Sequence, residues 1–512
     1  MSDTSAARCR RLLRRALTLI TPAVLTACGG SGGGTDPVVG DDPVVAQWQL
    51  ALTRDASGTQ RVVAWDPDRP ANARQEFLTD AGLATTVAAE TVDATTGTRT
   101  VVGAAMALYV QDGRLFRVGL RDSARLQPMQ VSSLTGICAL DAAHALQADG
   151  ALAAVALRVT GASGGCDADR TVRSDASAGT DAFSGSGERL LAVLPDAQGR
   201  AVALLQAVDQ GGGSERLALR NPDGTNLRAL AGQPASGGGA NAVMAWARGP
   251  SGRAWVATGG QLRQLDWYDG QPSLAGTAAL SLQEDAGRGL QPGSRALADL
   301  DGSVYLLDGT VLRRWRQGTA ETLVTLSGNA NFSGLGLASS HVVYGTMETA
   351  FQLNSAVLSL PKAGGSPIEL AASQSAYVVR LEAMGEDTAV VRMAFTGLSA
   401  MPVTGGNGPF TGGLMAGLRR SAQRPAGVPP VVTGLVECLP VATGCDLRVQ
   451  ALDGRPAVAL GTIATAGLGE AWGLLTEGLP AAWVVNTGSG PSDAWSWSPA
   501  RPSQVDRVTH HL

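Results

Sequence analysis

The chain has 512 residues, 44% of them hydrophobic, so it can bury a large core. Only 16% are charged and 66 are glycine, which suits short strands joined by many turns better than long charged helices. The formal net charge of −4 leaves no basic surplus to neutralise phosphates, which argues against nucleic-acid binding, and no polybasic patch to hold anionic lipid.

The first element in chain order is a cationic head with Arg8, Arg10, Arg11, Arg14 and Arg15 against one acid, Asp3. A 12-residue apolar run follows, Ala16 to Ala27, too short to cross a bilayer as a helix, which takes about 20 residues. Head, run and terminal small residues describe a signal peptide over residues 1–27. Removing it would take the net charge from −4 to −8.

Leu25-Thr26-Ala27-Cys28 resembles the lipobox of bacterial lipoproteins. The resemblance implies diacylglycerol on the Cys28 thiol, cleavage just before it, and acylation of the new amino group. Each buried CH₂ of such chains contributes about 0.8 kcal/mol to membrane anchoring. Gly29, in place of the Asp that holds enteric lipoproteins on the inner membrane, implies the outer membrane, facing periplasm or cell surface. Arg10-Arg11-Leu12-Leu13 also resembles a twin-arginine export signal. Residues 28–44, with GGSGGGTDPVVGDDP, read as the lipidated cysteine and a flexible tether.

From residue 45 a repeat emerges. Tyr109-Val-Gln-Asp-Gly-Arg-Leu-Phe-Arg117, Val256-Ala-Thr-Gly-Gly-Gln-Leu-Arg-Gln264 and Tyr305-Leu-Leu-Asp-Gly-Thr-Val-Leu-Arg313 share one plan. Each is an apolar run, a Gly turn and an alternating run, the pattern of a β-hairpin. Gly113, Gly260 and Gly309 are separated by 147 and 49, and Gly161 and Gly211 fill the gap at that period. Gly58, Asn354-Ser355, Gly397, Gly444 and Gly488 extend the series. Hairpins at a period in the 40s predict an all-β chain over 45–505, a β-propeller of about eight four-stranded blades, with seven as the alternative. The first and last turns, among Trp48, Trp65, Trp472, Trp483, Trp495 and Trp497, would suit a blade shared by both termini. Residues 506–512 read as a C-terminal tail. Asp301 to Trp315 also resembles one repeat of the pyrroloquinoline-quinone-type propellers, over about one blade.

Cys9 falls in the signal segment, leaving Cys138, Cys166, Cys438 and Cys445 beside the lipidated Cys28. Four cysteines allow three pairings. The local one, Cys138–Cys166 and Cys438–Cys445, is expected, the second pair across a hairpin at LPVATG. Each bridge would stabilise by roughly 2–4 kcal/mol. A zinc site is the alternative, but neither pair has C-x₂-C spacing.

Catalytic signatures are sparse. His144 and His341 are isolated, and His510 and His511 lie at the end, so the spacings of a helical zinc motif are missing. Lys362, the single lysine, follows Pro361, which rules out a Walker phosphate loop. Gly161-Ala-Ser163-Gly-Gly165 fits Gly-x-Ser-x-Gly, but so does Gly29-Gly-Ser31-Gly-Gly33 in the tether, and no helix pattern follows Ser163. Asp66/Asp68, Asp167/Asp169 and Asp299/Asp301 could bind Ca²⁺, or simply form turns. Tryptophans could stack on sugars or fill space between blades.

Three readings follow. The first is a monomeric, non-catalytic binding or scaffold module without cofactor, held on the membrane through Cys28 and engaging a protein or glycan. Outer-membrane assembly lipoproteins are one analogue by resemblance. The second is an envelope hydrolase or lyase whose site is assembled from blade loops. The third, implied by the quinoprotein-like repeat alone, is a quinone-dependent dehydrogenase.

Overall fold

The computed structural model describes residues 48–511 apart from 67–73, 93–98, 121–125, 147–151, 176–180, 197–199, 212–214, 234–241, 247–252, 268–271, 275, 277–278, 284–294, 349–353, 375–378, 394–396, 407–413, 421–423, 426–431, 442–443, 453–456, 464–480, 487–490 and 498–504. The signal segment, Cys28 and the tether therefore lie outside the described residues. Among the described residues no helix is long and apolar enough to cross a membrane.

The described strands form ten antiparallel sheets of three to five strands. In chain order they occupy 49–78, 84–130, 137–186, 188–229, 242–281, 296–325, 330–373, 379–402, 414–463 and 481–507, numbered here first to tenth. Strands pair with their sequence neighbours, with one exception. Arg424–Pro425, lying between the first two long strands of the ninth sheet, pairs with Thr100 and Val101 of the second.

Successive side chains of a strand point to opposite faces, so a strand buried on both sides must serve two neighbours. Leu50, Val62 and Ala64 of the first sheet pack with Ala107 and Tyr109 of the second. One residue on, Ala51, Val63 and Trp65 pack with Ala494 and Val508 of the tenth. The alternation continues round the molecule. Met106 and Leu108 meet Val155 and Leu157, whereas Ala154 and Ala156 meet Leu190 and Leu204. Leu205 and Leu217 meet Ala254 and Val256, and Trp255 and Ala257 meet Val304 and Leu306. Tyr305 and Leu307 meet Val342 and Tyr344, and Val343 and Val357 meet Ala389 and Val391. Val390 and Ala400 meet Leu435, and Leu414–Arg420 touches Ala481–Asn486. Each sheet hides a face of the next and the last meets the first, so the fold is a β-propeller.

The ten turn positions expected from sequence fall in ten different sheets. Gly58, Gly113, Gly161, Gly211, Gly260 and Gly309 lie between paired strands, and Asn354, Gly397 and Gly444 sit at or just before a strand start. Gly488 itself lies outside the described residues. Ten sheets thus stand where the spacing led to about eight blades, because the weaker turns close hairpins too.

Two expectations about the termini change. The first and tenth sheets do not merge into one blade: among the described residues no strand ladder joins them, and they meet face to face, with the Arg54 amide donating to Ser492 Oγ at 2.8 Å. Residues 506–511 are not a tail. Val505–Arg507 pairs with Trp495–Trp497, and Val508 and Thr509 are buried. Asp493, fully buried, fixes this segment: it accepts hydrogen bonds from Arg507 Nε (2.7 Å), Thr509 Oγ1 (2.8 Å) and the His511 amide (2.6 Å).

Candidate functional site

Most residues singled out by sequence fall on the third sheet, whose first three strands are Ile137–Ala145, Leu152–Thr160 and Cys166–Asp175. Cys138 is an extra residue between the pairs Ile137/Val159 and Ala139/Arg158, and Asp167 an extra residue between Cys166/Thr160 and Ala168/Val159. Such bulges bend a strand and re-aim its side chains. Strands two apart in a sheet are separated by about 10 Å. The bulges close that gap, so Cys138 and Cys166, on either side of the middle strand, have Cα atoms 5.8 Å apart and form a disulfide. This bridge is as expected from sequence. The side chains of Cys438 and Cys445 lie outside the described residues, although the backbone pairs Cys438 with Leu447 and Cys445 with Pro440 on one hairpin.

Beside the disulfide the junction of the third and fourth sheets turns polar. Arg158 Nε and Nη2 donate to the Asp141 carboxylate at 3.3 and 3.1 Å, and Nη1 donates to the Cys166 carbonyl at 3.2 Å. Asp169 stands opposite Arg158 in the ladder. Burial pushes Asp169 above the ordinary carboxylate range; Arg189 and Arg158 oppose the shift, while Asp141 and Glu215 reinforce it. Deeper in, Arg220 donates to Glu188 (2.5 Å) and to Gln206 Oε1 (3.1 Å). Gln206 Nε2 then donates to Thr171 Oγ1 (3.4 Å), which donates to the Glu188 carbonyl (3.0 Å). Gln206 and Thr171 are fully buried, so this network is satisfied internally and holds its shape. The rim is more open, with the Arg158 and Asp141 side chains 41% and 32% exposed. A half-buried carboxyl next to an arginine–carboxylate pair can accept hydrogen bonds from hydroxyls. No linear motif announces this junction, since its residues run from Asp141 to Arg220.

The remaining candidates are placed as follows. His144 stands opposite Ala154, four residues from the Arg158 row and so about 13 Å along the strand. Burial pushes it down to about 4, and its Nε2 is sealed from solvent without a hydrogen-bond partner. Ser163 is exposed in the turn closed by the Gly161 amide and Gly165 carbonyl, and its Oγ donates to Asp167 at 3.2 Å. A strand follows it, so the strand–turn–helix context of a nucleophile elbow is not formed.

Lys362 Nζ is 2.5 Å from Asp299, donates to the Ser339 carbonyl at 3.1 Å and stands 6.0 Å over the Tyr305 ring, tying the sixth sheet to the seventh. Asp301 accepts from the Ser303 amide at 2.9 Å, a turn former. Asp55, Asn221 and Asp299 each open the same turn, in which the amide of Gly58, Gly224 or Gly302 donates back to the opening carbonyl. The recurrent Asp/Asn-x-x-Gly spacing was a readable signal that the Asp-pair reading missed. Asp68 lies outside the described residues. His341 is buried, with Nδ1 2.8 Å from Ser340 Oγ. Trp65, Trp255, Trp267, Trp315 and Trp495 are buried among the sheets. Among the described residues no three of His, Cys, Asp or Glu gather as a metal site.

No protein-family model matches the chain, and no curated protein matches it. Among solved structures it is similar to puromycin hydrolase at 16% identity and TM-score 0.34, over 68% of this chain and 56% of that one. It is similar to the β-propeller domain of the Trilobed protease from Pyrococcus furiosus at 11% identity and TM-score 0.29, over 63% and 91% of the two chains. For dipeptidyl peptidase 4 of Porphyromonas gingivalis the values are 8%, 0.38, 82% and 59%. The chain thus spans just over half the length of puromycin hydrolase, and at these scores the likeness carries nothing about activity.

Proposed function

We propose that this chain is a lipoprotein of the outer membrane, anchored through Cys28, whose propeller is a non-catalytic binding module for a protein or glycan. The observation that supports the anchor is the succession of cationic head, short apolar run, Leu25-Thr26-Ala27-Cys28 and Gly-rich tether, with the first strand opening at Gln49. A flexible tether of that length reaches on the order of 20 Å from the anchor. Two groups that could serve catalysis have structural duties instead, Ser163 holding Asp167 and Lys362 holding Asp299, and burial pushes His144 down to about 4, so it is neutral at pH 7. The rim of Asp141, Arg158 and Asp169 offers the acceptors and donors that hydroxyl-rich or polar peptide ligands need. A second pairing, Cys438–Cys445, belongs to the same exported reading.

Labelled palmitate fed to the native cell should enter the wild-type protein and fail to enter Cys28→Ala. Label in both, or in neither, refutes the anchor. The alternative, an envelope hydrolase, has one observation in its favour, the raised pKa of Asp169. Activity on envelope polymers that vanishes in Asp169→Asn with the fold intact would favour the hydrolase. Retained partner capture with no such activity would favour the binding module.

A further inference from the structure

The bridge between Cys138 and Cys166 is built into the wall of the polar rim. Ala154 and Ala156 face the fourth sheet, so Arg158 and Thr160, further along the same strand, face it too. Cys166 stands opposite Thr160, and Asp169 opposite Arg158. On the neighbouring strand, Ile137, Leu140 and Ala143 all pack toward the second sheet. Apolar residues three apart on one face demand one extra residue in each interval. The extra residues are Cys138 and Asp141, because the ladder shifts at Ile137/Ala139 and again at Leu140/Ala142. One packing constraint thus aims both the sulfur and the rim carboxylate.

Arg158 joins the bridge to the rim. Its Nη1 donates to the Cys166 carbonyl at 3.2 Å, while Nη2 donates to Asp141 at 3.1 Å. Cys138 Sγ lies 3.4 Å from the Arg158 carbonyl. The bridge holds at 5.8 Å two Cα atoms that strands two apart would leave at about 10 Å. Opening it lets the Cys166 end move out toward the ordinary spacing and takes its carbonyl away from Arg158. The strands themselves stay in place, because Ile137, Val155, Leu157 and Val172 are buried in one apolar cluster. Both cysteines are half-buried, and Ala162, Ser163 and Gly164 of the adjoining turn are exposed, so a reductant can reach the bond.

We propose that Cys138–Cys166 is a redox control on the rim of Asp141, Arg158 and Asp169, which is held by the bridge and loosened by a dithiol. A thiolate of the dithiol attacks Cys166 Sγ, and the S–S bond breaks with its electron pair leaving on Cys138 Sγ, which takes a proton. The second thiolate of the dithiol then attacks the mixed disulfide, frees Cys166 to take a proton, and closes the dithiol into its own disulfide. Two electrons and two protons pass from the dithiol to the two cysteines. This control rests on the reading of the rim as the binding surface.

The test is amide hydrogen exchange of the full chain at pH 7, oxidised and after reduction with dithiothreitol and trapping with iodoacetamide. Cys138 and Cys166 should both be alkylated while thermal melts still show a folded chain. Amides of residues 136–141 and 160–169 should then exchange about tenfold faster, and those of Val304–Asp308 and His341–Glu348 as before. The double variant Cys138→Ser with Cys166→Ser should match the reduced chain. Alkylation only on unfolding, equal acceleration in every sheet, or no local acceleration overturns the proposal. Should the double variant not fold, the reduced wild type decides. The exchange readout needs no ligand, so the switch and the binding reading can fail separately.

Discussion

The second and sixth sheets carry the same pattern, Tyr109-Val-Gln-Asp-Gly and Tyr305-Leu-Leu-Asp-Gly, and fold it in two registers. In the second, Gln111 pairs with Arg114, so Asp112 (φ 51°) and Gly113 (φ 65°) make the two-residue turn. In the sixth, Asp308 pairs with Val311, so the turn is Gly309 (φ 64°) and Thr310. Two left-handed residues mark one hairpin turn and a single leading one marks the other. The shift of one residue moves the aspartate from an exposed turn to a fully buried strand end. It also changes the tyrosines' partners. Tyr109 stands opposite Phe116 and stacks on it at 5.6 Å, whereas Tyr305 stands opposite Arg314. The Asp-Gly dipeptide calls for a turn. Tertiary partners, here Gln283 and Arg313, decide which residues make it.

The sharpest way to break this comparison is at the two aspartates. Asp308→Ala removes the buried acceptor of the Gln283 amide and the partner of Arg313, and should cost about 3 kcal/mol in urea unfolding. Asp112→Ala should cost about 1 kcal/mol, the strain of a left-handed alanine. Equal losses would mean that the registers are the same.

The two glycines come next. A side chain at Gly113 would meet the backbone amide of Gly136 at 3.0 Å, whereas at Gly309 it would meet the movable end of Gln283. Gly113→Ala should therefore lose about 2 kcal/mol and Gly309→Ala about 1 kcal/mol.

The pH dependence sharpens the contrast further. Burial raises the folded pKa of Asp308 above its ordinary 3.8, so its protonated form favours the fold. That contribution is present below 3.8 and lost as pH rises through the folded value. Wild type should thus lose stability relative to Asp308→Asn on going from pH 3 to pH 7, which paired urea titrations would read. The smallest effect is expected at the exposed turn: Asp112→Asn should stabilise by a few tenths of a kcal/mol, because Asn-Gly suits two left-handed residues.

The hairpins themselves were legible, since glycine and alternation are local. The Cys138–Cys166 bridge was legible as the pairing nearest in sequence, but not its route across a strand, which needs bulges at Cys138 and Asp167. The polar junction was not legible, because Asp169 and Gln206 meet only through the packing of two sheets. The last residues looked like a tail because Val505–Arg507 is short and polar. Its place is fixed by Asp493, which the chain alone does not connect to it. All ten turns, Asn354 and Gly397 among them, were legible, and about eight blades were expected only because several turns were weak and the first and last could share one blade.

Closure of the circle, with the first sheet covering the tenth, is the claim on which the rest depends. Spin labels at Ser57→Cys and Pro491→Cys, in a chain with no other free thiol, would measure it directly by electron–electron dipolar spectroscopy. Both sites flank the Arg54–Ser492 hydrogen bond across the seam. Closure predicts a single narrow distance within about two sheet spacings, ~20 Å. A broad or much longer distribution would show the two sheets apart and contradict it.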